Sequence, residues 1–153
     1  MAIYKFDGVD GVLATPNKFI EVFCSSTVTR GDVVVLALDG NFGTNGLTVA
    51  KAGATANLSR ACGVAMETLS TANNFVQIQY AGLNELATAE SGSGGITVNG
   101  LVGTAATAGK IEDFTGATAV TGAVAPFAIC ARAYTAGAAD GAIIIFDKGY
   151  FNG

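Results

Sequence analysis

Histidine and tryptophan are absent from this 153-residue chain, proline occurs twice, and charged residues make up only 13% of it. Each shortage excludes something. Without histidine the commonest general base and metal ligand is missing, and a Ser-His-Asp or Cys-His arrangement cannot be built. The longest apolar runs, such as Ala142–Phe146, fall far short of the ~18 residues a spanning helix needs, so no membrane partner is expected. No basic-then-apolar signal segment opens the chain, because Met1–Phe6 is followed at once by Asp7 and Asp10. Positive charge is also scarce: 8 basic residues stand against 12 acidic ones. Lys5, Lys18, Arg30, Lys51, Arg60, Lys110, Arg132 and Lys148 are scattered singly. Phosphate recognition needs several cations on one face, so no direct nucleic-acid partner is expected.

Cysteine is sparse too. Cys24, Cys62 and Cys130 are odd in number, widely spaced and set in apolar runs, with no CxxC spacing. A disulfide framework would be denser and even, and zinc has no ligand set. The expectation is three buried free thiols in a protein made in the cytoplasm.

What is abundant is small: 21 Gly, 27 Ala and 16 Thr, with 50% of residues hydrophobic. High hydropathy and low charge are the opposite of a disordered composition. At roughly 150 residues per domain the chain reads as one domain. Apolar residues alternate or run in short blocks bounded by Gly, Asn, Asp and Thr, the mark of strands rather than helices.

Strands are expected at Lys18–Cys24, within Asp32–Leu38, at Leu47–Ala50, Ala61–Leu69, Phe75–Ala81, Gly95–Val98, Leu101–Ala105, Lys110–Phe114, Phe127–Tyr134 and Ala142–Asp147. A hairpin should join Val33 to Ala50 through the loop Asp39–Gly46, and Leu83–Ala89 suits one short helical turn. Alternation after Phe75 places Gln77 and Gln79 on a wet face. The segments starting at Cys62 and Phe127 echo each other as strand, small-residue turn, strand, which suits either two ordinary hairpins or a duplicated hairpin closing a barrel. Alanine buries little area, so the large residues should carry the core: Phe19, Phe23, Val33, Val35, Leu36, Phe75, Ile78, Phe127, Ile129, Ile143, Ile145 and Phe146. A core this lean favours association, which adds burial between subunits.

The fold class is therefore all-β: a small single-domain β-barrel or sandwich of short strands (17–153), preceded by an extended N-terminal arm or first strand (1–16). Ile3, Tyr4, Phe6, Val9, Val12 and Leu13 are the candidate contacts of that arm. Gly8 and Gly11 weaken both helix and strand there, and Pro16 holds its predecessor extended. Laid along a partner, the segment would bury its apolar residues. The competing expectation is a first strand tucked into its own barrel.

Catalytic chemistry has little to work with. The nearby acidic pairs Asp7 and Asp10, Glu85 and Glu90, and Glu112 and Asp113 lie among small residues and read as solvated loop charges. Gly92-Ser93-Gly94-Gly95 is followed by a strand, not by the Lys-Ser/Thr and helix of a phosphate loop. Asp39–Asn45 carries oxygens but lacks the closing Glu of a calcium loop. No enzyme activity, cofactor or metal is expected.

Several segments together resemble a known group. They are Thr29-Arg30-Gly31-Asp32-Val33-Val34-Val35-Leu36, Gly63-Val64-Ala65 leading into Phe75-Val76-Gln77-Ile78, and Leu101–Lys110. Phe127-Ala128-Ile129-Cys130-Ala131 and Ala142-Ile143-Ile144-Ile145 close the series. In this order they resemble the Gly/Ala/Thr-rich β-barrel decoration (cement) proteins of tailed-bacteriophage capsids. The resemblance spans roughly Thr27 to Asp147, and Ala128-Ile129-Cys130 stands where Gly-Val-Ala would be expected. It implies a non-enzymatic virion protein on the capsid exterior, a homotrimer whose partner is the major capsid protein. It would bridge and stabilise neighbouring capsid subunits of the mature icosahedral shell. The alternatives are another self-assembling β protein, such as a phage tail, fibre or surface-layer subunit, and a small-ligand or carbohydrate-binding barrel.

Overall fold

The short apolar blocks become strands in the computed structural model, which describes residues 17–37, 47–54, 60–92, 94–114 and 126–151. The described residues contain nine strands and no helix: β1 (Lys18–Cys24), β2 (Val33–Leu36), β3 (Thr48–Lys51), β4 (Ala61–Ala65), β5 (Asn74–Asn84), β6 (Leu101–Thr104), β7 (Ile111–Asp113), β8 (Ala128–Arg132) and β9 (Ala142–Ile145). Strands β1-β3-β2-β4-β5 form a closed five-stranded barrel, because β5 pairs back onto β1 along the full length of β1. The C-terminal end of the long β5 leaves the barrel and pairs with β9, which continues the sheet through β8 and β6 to β7. The protein is thus all-β, a barrel with a second sheet packed against it.

Strands β2 and β4 form the wall between the two layers, and every residue of both is buried. That is why Val33-Val34-Val35-Leu36 is a continuous apolar run rather than an alternating one. Val34 and Leu36 face the barrel interior with Val22, Cys24, Val49, Cys62, Val76 and Ile78. Val33 and Val35 face the second layer with Val64, Ile96, Ile111, Phe127, Tyr134, Ile143 and Ile145. A β-bulge keeps β4 in step. Val34 pairs with Gly63 but Val35 pairs with Ala61, so Cys62 has no opposite number. The extra residue shifts the alternation, and Ala61 and Val64 both reach the second layer while Cys62 and Ala65 both reach the barrel. Asp32, almost wholly buried, accepts the Thr29 N–H and pairs with Lys51 Nζ at 2.8 Å, which ties the start of β2 to β3.

The expected hairpin from Val33 to Ala50 is present, with Val35 opposite Ala50; its loop lies outside the described residues. Both echo segments are hairpins, β4–β5 and β8–β9. The second one does not close the barrel; it builds the outer sheet, and β1 does the closing.

Four expectations need correction. Gly95–Val98 is no strand but a single bridge from Ile96 to Tyr134, because a turn from Thr97 to Gly100, with Asn99 at φ 67°, ends it at once. Leu83–Ala89 is no helical turn. Strand β5 runs on to Asn84, whose Oδ1 then accepts the N–H groups of Leu86 and Ala87, a side chain imitating a turn. Gln79 is not on a wet face but 2% exposed. Its Nε2 donates to the carbonyls of Ala81 and Leu83, and its Oε1 accepts from Asn84, so the buried amide is satisfied where β5 changes layer. Finally, Phe19, Phe75 and Phe146 are exposed rather than core, Phe23 and Ile129 are only half-buried on outward faces, and Phe127 is the largest fully buried side chain among the described residues.

Candidate interaction surface

Period-two alternation in β1 turns Ile20, Val22 and Cys24 toward the barrel core and Phe19, Glu21 and Phe23 outward. In β5 the same rule sends Val76 and Ile78 inward and Phe75 and Gln77 outward. Register brings the outward residues together: Phe23 lies opposite Phe75 and Glu21 opposite Gln77. The Phe23 and Phe75 rings meet edge to face at 5.7 Å, a favourable aromatic geometry. Phe75 is nevertheless 54% exposed and Phe19 45%. Nothing among the described residues covers this face.

Beside it the barrel wall opens. Strand β1 pairs with β5 along all seven residues but with β3 only at Phe23 and Cys24. The gap forms a cleft of about 280 Å³, lined chiefly by Ile20, Phe23, Leu47, Phe75, Tyr150 and Phe151. Phe151 also packs on Tyr80, with ring centroids 5.1 Å apart, and against the barrel core. Glu21 is the charged residue of the lining. This cleft falls just below the ~300–1,000 Å³ typical of small-molecule pockets. An open, aromatic cleft continuous with an aromatic face suits a protein partner better, since buried aromatics carry much of interface affinity.

The candidate arm contacts Ile3, Tyr4, Phe6, Val9, Val12 and Leu13 lie outside the described residues. Hydrophobicity alone misses the aromatic face, although its signal is in the sequence. Phe19 and Phe23 share parity with Glu21, and Phe75 shares it with Gln77; an apolar residue two positions from a polar one on a strand belongs to the polar face.

Several of the described titratable groups make specific contacts. Glu85 pairs with Arg132 at 3.0 Å on the surface. Glu90 accepts the Thr107 N–H at 2.9 Å, and hydrogen bonding to Thr107 holds its carboxyl below the ordinary range. Burial, then the charge of Glu90, pushes Glu112 above it. Among the described residues no group of three His, Cys, Asp or Glu could hold a metal ion.

All three cysteines are free and buried. Burial pushes the Cys62 thiol up to about 12, the reverse of what a reactive thiolate needs. Thiol titration should find almost no reactivity in the folded protein and three thiols after unfolding. A pH dependence follows. The ordinary value is 9.0 and the folded one about 12, so folded Cys62 holds its proton where the unfolded chain releases it. Its contribution is complete below pH 9 and is lost as pH rises toward 12, at about 1.4 kcal/mol per pH unit. Denaturant midpoints measured across that window should fall, and less steeply in Cys62→Ala. An identical slope in the variant would contradict this assignment.

Neither a protein-family model nor a curated protein sequence matches the chain.

Proposed function

We propose that the protein is a structural virion component that binds the outside of a mature icosahedral phage capsid and bridges neighbouring major capsid subunits. The observation carrying this reading is the aromatic face of β1 and β5 with its cleft, a surface that the described residues leave uncovered. The order of the Gly/Ala/Thr-rich strand segments, similar to that of capsid decoration proteins, supplies the partner class. A contiguous aromatic surface on a soluble protein marks an interaction site. The energetics are those of mass action: a protein that binds only the expanded lattice stabilises that lattice. Three copies acting together at a three-fold position multiply weak contacts through effective concentration.

Co-sedimentation with tailed-phage shells tests the proposal. The protein should pellet with expanded shells and remain in solution with unexpanded ones. Failure to bind expanded shells, with assembly into fibres or sheets of its own instead, would favour the reading as a different self-assembling β protein.

A further inference from the structure

Strand β1 is paired along one side and open along much of the other. Gln77, opposite Glu21 on β5, uses both its main-chain groups on the β4 side. Its N–H donates to Glu67 Oε1 at 2.9 Å, and its carbonyl accepts the Met66 N–H at 2.9 Å. In an antiparallel ladder, opposite residues alternate between pairs that exchange both main-chain bonds and pairs that exchange none. Glu21 and Gln77 are a pair of the second kind, so the N–H and carbonyl of Glu21 point away from β5. Phe19, two residues earlier, has the same parity. Ser25, two residues beyond Phe23, shows where that side leads: its N–H donates to the Val49 carbonyl of β3 at 2.9 Å. Yet β3 is in register with β1 only at Phe23 and Cys24. Among the described residues no strand stands on that side of Phe19–Glu21, and the cleft opens there instead.

Phe19 and Glu21 thus turn two main-chain donors and two acceptors toward the cleft, one of each per residue. An open edge of this kind is a template for an added strand. The side chains around it define what that strand carries. Glu21 is exposed and shares the outward face with Phe19 and Phe23. It forms no ion pair with a described cation. A residue set directly opposite Glu21 on an added strand shares its face, where a lysine or arginine is favoured and a carboxylate disfavoured. The residues before and after that one turn to the other face, toward the part of the cleft walled by Ile20, Leu47 and Phe151, which pack against the barrel core.

Taking the capsid reading of this site as its basis, we propose that the occupant is an extended segment of the capsid subunit, added as a strand along Phe19–Glu21. It carries an apolar-basic-apolar triplet whose basic residue lies opposite Glu21. Main-chain bonds to the β1 edge supply affinity, and the alternating side chains supply specificity.

Amide hydrogen exchange on the full-length protein, free and bound to expanded tailed-phage shells, reads this edge directly. In the free protein the Glu21 amide should exchange freely, while those of Ile20 and Val22, turned toward β5, stay protected. On the shells the Glu21 amide should slow by about tenfold or more. A Glu21 amide already protected in the free protein would mean that the chain itself fills the edge, and would overturn the inference. So would one that stays fast on the shells. Glu21→Pro removes this one N–H, which β5 does not use, and proline is tolerated on strand edges. The folded variant should co-sediment about tenfold more weakly or worse. Glu21→Lys, which keeps the edge but reverses the charge, should weaken binding by a similar factor, and Glu21→Gln by less. Wild-type binding by folded Glu21→Pro or by Glu21→Lys would overturn the inference; should Glu21→Pro fail to fold, the exchange data and Glu21→Lys decide. Wild-type protein that does not pellet with expanded shells at all would defeat the capsid reading itself, whereas wild-type pelleting with unaffected variants defeats the added strand alone.

Discussion

Phe127→Ala is expected to destabilise the protein by about 4 kcal/mol, the range for removing a fully buried aromatic ring. Phe127 is 1% exposed and sits among the apolar side chains that join the second sheet to the β2–β4 wall. Its backbone is also fixed on both sides: its N–H donates to Val102 and its carbonyl accepts from Phe146. The surroundings therefore cannot collapse into the space the ring leaves. In a lean core of valines and alanines, no other fully buried side chain among the described residues is as large. The unfolding temperature should drop by roughly 12 °C, measured by calorimetry. Phe75→Ala, which removes the same ring from an exposed position, is the control and should shift it little.

Gly63→Val should be nearly as damaging, at about 3 kcal/mol, and for the opposite reason. The β4 bulge places Gly63 so close to β5 that a Cβ would come within 2.6 Å of the Gln79 carbonyl oxygen. That oxygen belongs to the backbone of a strand paired with both β1 and β4, so it cannot swing aside as a flexible side chain would. Overpacking of this kind forces backbone shifts. Because Gly63 sits where β4 changes parity, the strain would reach Cys62 on the barrel side and Val64 on the other. Gly63→Ala should show a smaller loss of the same sign. Chemical denaturation of the two variants checks the order, and a Gly63→Val protein as stable as wild type would contradict the close approach.

Strand positions are legible in the sequence because β-branched blocks between turn residues have few other uses. Apolar residues delimit Lys18–Cys24 to the residue, and turn residues mark the Val33–Ala50 hairpin. Which face of a strand is buried is harder to read. Ile143 and Ile145 are in the core as the sequence suggests, but Ile129, in an equally apolar block, faces outward while its neighbours Ala128 and Cys130 face the core. Gln79 reads as wet because its hydrogen-bond partners include Asn84, five residues on, past the point where β5 switches layers. The bulge at Cys62 and Gly63 is likewise invisible, since nothing local marks where alternation slips. As for the candidate site, hydrophobicity alone puts Phe19, Phe23 and Phe75 in the core, although their parity with Glu21 and Gln77 points outward.

The central claim is that the uncovered aromatic face of the barrel grips a capsid shell. Phe75→Ser tests it most directly, because Phe75 is the most exposed of the large apolar residues described and its loss leaves the core intact. In a co-sedimentation titration against expanded shells, the folded variant should bind at least tenfold more weakly than wild type, about 1.4 kcal/mol, while its circular dichroism and unfolding midpoint stay unchanged. A folded Phe75→Ser protein that saturates the shells at the wild-type concentration would contradict the account.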